Sequence, residues 1–395
     1  MTGRKPPSRL EPYVIDVGAG GLPSGKGRVS SSPAQLDGLA KAMAAQHDAW
    51  AHESGDVTRH IVYYAHGGLV DEGKGVSVAE RMIGWWLQNR IYPIHILWES
   101  GALETILEYL KRRLEEFVTP EGISEDIEDL IDARIEEIGR SVRPVWEEMK
   151  TKGRLASAPL SGKPIDWTSQ EPGSEPGVSL FVDRLTAYVA RHAGSVRVHL
   201  VGHSAGAVVL AALVRRLLAA GIAIESMQLM GGAIRAEEFV RDVVPELASA
   251  PGGSGKIRRF VAYDLTEKCE QGDTFPRPPI GIYHKSLLYL VARSLEYSSD
   301  DAEVPMLGLS KDLTTPWTMP DGSSRQLVDL IGGSGNAVIC PNTASQADQR
   351  SGAHRHEGFH SDPDTMTAVL LRIMDRHDIG RLTPYPPGGM PSHGS

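Results

Sequence analysis

The chain has 395 residues, 41% hydrophobic and 23% charged, enough apolar material for a sizeable core, which excludes wholesale disorder. With 41 basic and 50 acidic residues the net charge is −9, so the basic surplus with which a nucleic-acid binder neutralises phosphates is missing. Only two cysteines are present, Cys269 and Cys340; they make no disulfide framework and point to a reducing, cytoplasmic setting.

The first residues, MTGRKPPSRLEPYVIDVG, are basic but carry no apolar stretch, so no secretory signal is expected. The most apolar run, 205–224, is interrupted by Arg215 and Arg216 and reads as a buried helix, with no transmembrane segment anywhere. Residues 1–12 and 383–395 are rich in Pro, Gly or charge and are expected to be flexible tails. Between them β-rich runs alternate with amphipathic stretches, which predicts an α/β protein with a mainly parallel central sheet and helices on both faces.

In chain order, strands are expected at 13–17, 60–64 (HIVYY) and 94–98 (IHILW), with a helix over about 77–89. In that helix Trp85 and Trp86 read as core residues and not as a lipid anchor. A helix near 178–192 leads into a strand at 196–201 (VRVHLV), followed by an apolar helix to about 220. Further strands fit 227–230, 259–264 and 337–340, and further helices 285–297 and 362–376. Ser361 with Asp364, and Pro363 in the first turn, predict the start of the last helix.

About 95 residues separate the strands at 94–98 and 196–201, far more than a crossover needs. Within that gap residues 103–150 hold 14 acidic and 7 basic side chains, a net of −7. Ile127, Leu130, Ile131, Ile135 and Ile138 follow the helical period, with Ser124 as N-cap. Residues 101–175 therefore read as a helical cap insertion of two or so helices, with the loop-like 155–177 as its hinge; 13–100 and 176–382 form the core.

The chemistry is concentrated at two loops. Gly202-His203-Ser204-Ala205-Gly206 follows a β-branched run and opens an Ala/Val/Leu-rich helix. The G-x-S-x-G pattern alone is common, but a strand–turn–helix setting is what a nucleophile elbow requires. There Ser204 projects from the sheet edge beside a helix N-terminus, and Gly202 and Gly206 avoid collisions with neighbouring elements. Upstream, His66-Gly67-Gly68-Leu69 follows another strand, where backbone N–H groups of Gly68 or Leu69, together with that of Ala205, would hold a substrate oxyanion. His203, next to the serine, reads as a packing residue.

These motifs in this order, with a late histidine, resemble the α/β-hydrolase superfamily over roughly residues 58–380. The resemblance implies a triad in the order Ser, acid, His, and an ester, thioester or amide bond as target. The histidine is expected after the last strand, where His356, in His-x-Gly-Phe, is preferred to His360 and His354. The same stretch offers a rival zinc site from His354, His356, His360 and Asp362. For the acid, Gly-Asp-x-x-Pro at 272–276 resembles the family's acid turn and favours Asp273, followed by Glu267 and Asp264. The resulting expectation is a serine hydrolase acting on a small-molecule or lipid acyl ester, with no metal or organic cofactor implied. Two other readings use the same residues: an acyltransferase or amidase, or a catalytically silent scaffold whose acidic insertion binds a protein partner.

Overall fold

The computed structural model describes residues 9–26, 29–67, 72–98, 102–115, 125–276, 282–318 and 322–387. Seven parallel strands form one sheet: β1 (Val14–Val17), β2 (Arg59–Ala65), β3 (Ile91–Trp98), β4 (Val196–His203), β5 (Ser226–Met230), β6 (Phe260–Leu265) and, after a small β7 (Pro316–Thr318) and β8 (Ser324–Gln326) hairpin, β9 (Ala337–Cys340). Their order across the sheet is β1-β3-β2-β4-β5-β6-β9. Helices on both faces bury the strands on both sides, so runs such as IVYY and IHILW need no polar alternation. Pro93 is tolerated in β3 because it pairs with Val62 on one side, while β1 reaches only residues 95–98 on the other.

One face is covered by α1 (Pro33–Ser54), α6 (Gly177–Arg191) and α7 (Gly206–Ala219), packed on Ile61, Tyr63, Val198 and Leu200. The other face carries α2 (Glu72–Gln88) and α12 (Pro363–Ile373), packed on Val62, Tyr64, Val201 and Tyr263. No element was expected for the α1 segment. Its stripe is one residue per turn (Leu36, Leu39, Met43, His47) among alanines and polar residues, too thin for periodicity to reveal. Its ends are nonetheless well marked: Ser32 caps it by accepting from Gln35 N–H, and Gly55 closes it with φ +73°. Trp85 and Trp86 are fully buried, and Trp85 Nε1 donates to the Thr383 carbonyl at 2.8 Å.

Both expected tails are partly docked. Leu10 is buried, and the Pro12 carbonyl accepts from the Tyr92 hydroxyl at 2.7 Å. Thr383 exchanges hydrogen bonds with Asn89, and Tyr385 packs edge-on against Trp85. The last helix is capped not by Ser361 but by Asp362, which accepts from Thr365 N–H and lies directly before Pro363. Where a helix over 285–297 was expected, α10 (Leu287–Leu290) runs into a wider turn at 291–295.

The expected insertion, 101–175, contains three α-helices among the described residues, α3 (Ala102–Glu115), α4 (Glu125–Gly139) and α5 (Arg143–Leu155), with α5 lying against α7. Of the expected apolar face, Ile135 and Ile138 are buried, but Leu130 is 71% exposed; Ser124 and the Ile127 side chain fall outside the described residues. Acidic side chains of α4 and a lysine of α5 fasten the insertion to the segment 282–301. Asp132 accepts from Lys285 Nζ at 2.7 Å and His284 N at 2.8 Å, and Glu136 accepts from the Tyr283 hydroxyl at 2.7 Å. Buried Lys150 meets buried Glu296 at 2.7 Å, with Trp146 Nε1 donating to the same carboxylate. The neighbouring loop is anchored as well, since a Cβ on Gly21 would lie 2.3 Å from the Leu155 backbone. Among the described residues no helix is long and apolar enough to cross a membrane.

Several histidines lie on or beside the central strands. His60 Nδ1 is 3.0 Å from His199 Nε2, and His199 Nδ1 is 2.7 Å from Ser226 Oγ. Burial pushes His47 and His60 down to about 4, His95 to about 3, and His199 well below its usual range. Each is therefore neutral when folded but protonates near 6.5 when unfolded. Stability from these groups is complete above pH 6.5 and is lost as pH falls toward 4, at about 1.4 kcal/mol per group per pH unit at most. Urea midpoints are expected to fall from pH 6.5 to 4.5, less steeply in His95→Gln; a pH dependence identical in that variant would contradict this.

Candidate functional site

The site is built where β4 turns into α7. Ser204 has φ +53°, a left-handed conformation that is costly for a non-glycine residue. Three hydrogen bonds hold it: its N–H donates to the Met230 carbonyl at 2.9 Å, and its carbonyl accepts from Ala207 and Ala233 N–H, both at 3.0 Å. The flanking glycines are required by packing. A Cβ on Gly206 would lie 2.3 Å from the Ala65 carbonyl oxygen, and one on Gly202 would press on Leu210 and Leu229 at 2.8 and 3.0 Å. Ala205 is buried and is the N-cap residue of α7, so the partial positive end of that helix adjoins the serine.

The loop after β2 lies against the same point. A Cβ on Gly67 would approach Ser204 Cβ at 3.0 Å. His66 orients the turn: its Nδ1–H donates to the Gly67 carbonyl at 2.8 Å, and Trp98 Nε1 donates to the His66 carbonyl at 3.2 Å. Gly68 and Leu69 lie outside the described residues.

The late loop delivers one of its three histidines to the serine. His356 Nε2 lies 2.9 Å from Ser204 Oγ, with both residues buried. His354 is exposed; the His360 ring lies tilted to that of His203, centroids 5.5 Å apart. Among the described residues no three His, Cys, Asp or Glu side chains come together as a metal site, and Asp362 is engaged with Gly352 and Thr365. His203 does pack as expected of it, and it also positions: its Nε2–H donates to the His356 carbonyl at 2.8 Å. Burial, with a smaller contribution from His203, holds His356 well below the usual imidazole range, so the ring facing Ser204 is neutral and able to accept a proton.

The three acid candidates are treated differently by the fold. Asp273 Oδ2 accepts from the His356 backbone N–H at 3.1 Å, and its Oδ1 accepts from Thr274 N–H at 2.8 Å. Its carboxylate thus touches residue 356 through the main chain, while His356 Nδ1 has no partner among the described residues. Glu267 Oε1 is taken by the Tyr289 hydroxyl and by Gln271. Asp264 is buried with neither oxygen partnered among the described residues, and burial, then Glu270 and Asp312, raise it well above the carboxylate range. A neutral acid of that kind cannot stabilise an imidazolium by charge.

A residue that the sequence reading did not single out completes the site. Gly231, just after β5, has φ +51°, and a Cβ there would lie 2.9 Å from both Nδ1 and Cε1 of His356. The signal was available as the pair Gly231-Gly232 at a strand end, the position where backbone must approach another group closely.

A family model described as the alpha/beta hydrolase family matches residues 139–365, more than half of the chain. The chain belongs to the alpha/beta hydrolase family. The matched region includes β4, Ser204, Asp273 and His356, and leaves out β1 to β3 with the His66-Gly67 loop. No curated protein and no solved structure matches the chain.

Replacing Gly231 by Ala is expected to displace the His356 ring from Ser204 while the chain stays folded, slowing labelling of Ser204 by a fluorophosphonate at least 100-fold with the near-UV circular dichroism unchanged. An unchanged labelling rate in that variant would show that the ring does not act from this position.

Proposed function

We propose that this protein is a serine hydrolase that cleaves a carboxylic ester through Ser204, His356 and Asp273 and a covalent acyl-enzyme. One observation carries the reading: a strained, buried serine at a strand–helix turn has its Oγ 2.9 Å from the Nε2 of a neutral, buried histidine. That pair is the minimal unit of activated nucleophile and general base. His356 Nε2 takes the hydroxyl proton as Ser204 Oγ attacks the carbonyl carbon. The oxyanion is held by Ala205 N–H and by an N–H of Gly68 or Leu69. His356 then protonates the leaving alcohol and activates the water that releases the acid.

For Nε2 to accept from serine, the proton of neutral His356 must sit on Nδ1, and a buried N–H without a partner costs about 1–3 kcal/mol. Asp273 is the carboxylate placed to relieve that cost, by turning about its side-chain bonds from the backbone N–H of residue 356 to its ring. The neutrality of Asp264 argues against that residue, and Glu267 Oε1 is already taken by Tyr289 and Gln271. The acidic insertion is read as the wall under which the acyl or alcohol portion enters. Its use as a partner-binding surface loses support because Asp132 and Glu136 are engaged inside the fold. The free thiols Cys269 and Cys340 support a reducing, cytoplasmic setting.

With p-nitrophenyl acetate and butyrate as substrates, Ser204→Ala is expected to abolish turnover and Asp273→Asn to lower kcat roughly 10³–10⁴-fold. Asp264→Asn, which copies the neutral acid, should stay within about threefold of wild type. Hydrolysis that survives Ser204→Ala would sink the mechanism; a harmless Asp273→Asn would sink the assignment of the acid.

A further inference from the structure

The catalytic candidates occupy the C-terminal edge of the sheet, and a separate cleft of about 160 Å³ opens at the opposite edge, where β5 and β6 begin. Along β5 the two ends are about 13 Å apart, so the cleft is distinct from the serine site. Its charged lining consists of Arg258, Arg259, Arg372 and Arg376 against Asp348 and Asp375, an excess of two positive charges in a chain whose net charge is −9. Such a concentration is the reverse of the protein's overall field and favours an anion.

The hydrogen bonding of the walls shows which groups remain for a ligand. The neutral polar lining is consumed internally: Ser226 by His199, Gln228 by Tyr263 and the Val369 carbonyl, and Ser249 and Asn336 by the Ile331 carbonyl. The guanidinium groups are only partly used. Arg258 comes no nearer than 3.7 Å to Glu225 and is 65% exposed. Arg376 meets Asp378 at 3.2 Å through one nitrogen. Arg259 reaches Glu225 and Asp375 through its terminal nitrogens, but its Nε, although buried, has no partner among the described residues. One acceptor is orphaned too. Asp348 is 1% exposed; its Oδ2 meets Arg372 and His377, both at 3.1 Å, while its buried Oδ1 has no partner among the described residues. Orphaned donors and acceptors in a polar cleft are costly unless something supplies the missing bonds.

We infer that this cleft binds a small oxyanion-bearing metabolite, its phosphate or carboxylate group held by Arg258, Arg259 and Arg376 and an adjacent hydroxyl donating to Asp348 Oδ1. Guanidinium forks match such oxyanions in shape as well as charge. The volume suits a molecule of only a few heavy atoms beyond the anionic group, well below the usual drug-sized pocket.

The test is isothermal titration of the full chain with inorganic phosphate, glycerol 3-phosphate and malonate, with potassium chloride at matched ionic strength as control. Saturable binding is expected for at least one oxyanion and none for chloride. Binding should weaken at least tenfold in both Arg258→Gln and Arg376→Gln, two solvent-facing side chains whose loss leaves the melting temperature in chloride unchanged. Glycerol 3-phosphate binding several-fold tighter than phosphate would support the hydroxyl contact to Asp348, and equal affinity would remove that part; a preference for malonate would assign the site to carboxylates. Absence of saturable binding by all three anions below 10 mM (about 2.7 kcal/mol of affinity) would overturn the inference, as would binding that both variants leave unchanged. Ser204→Ala should bind these anions like wild type, so failure here and failure of the hydrolase reading are told apart.

Discussion

Ser204 occupies a conformation that no isolated serine prefers, and the surrounding architecture exists to hold it there. Its N–H is taken by the end of β5, its carbonyl by the first turn of α7 and by Ala233, and the turn closes only because Gly206 slides against the backbone of β2. With φ fixed at +53°, the hydroxyl points to the one place where the loop after β9 delivers His356. The strain is tolerable because neighbouring strands of a rigid parallel sheet over-determine the turn.

The histidine side of the pair depends on equally close packing. Its ring lies on Gly231, its carbonyl is fixed by His203, and its backbone N–H by Asp273. Burial keeps it neutral, which a base requires, and Nδ1 has no partner among the described residues. The Asp273 carboxylate meets residue 356 through that backbone N–H.

Much of this was legible in the sequence, for local reasons. The parallel strands are continuous apolar runs, and the elbow is five contiguous residues in a strand–turn–helix setting, so the fold and the position of Ser204 follow from short windows. That His356 is the histidine of its loop lying beside Ser204 was legible through its place after the last strand. The choice among Asp273, Glu267 and Asp264 was not, because it turns on which side chains face residue 356 in space, and spacing says nothing about that. Periodicity also failed for α1, whose buried stripe is thin, and it put Leu130 on the wrong side of α4. The acidic insertion illustrates another limit: net charge marked it as a separate element, but not that Asp132, Glu136 and Lys150 tie it down to residues 282–301. Gly68 and Leu69, expected to hold the oxyanion, lie outside the described residues.

The pairing of Ser204 with His356 is most directly tested by exposing the full chain to a fluorophosphonate and following its intact mass, with peptide mapping of the adduct. A single covalent adduct on Ser204 is the expected result, forming at least 100-fold more slowly in His356→Ala. A wild-type chain that stays unmodified, or one labelled equally fast without the imidazole, would show that this hydroxyl is not activated by that ring.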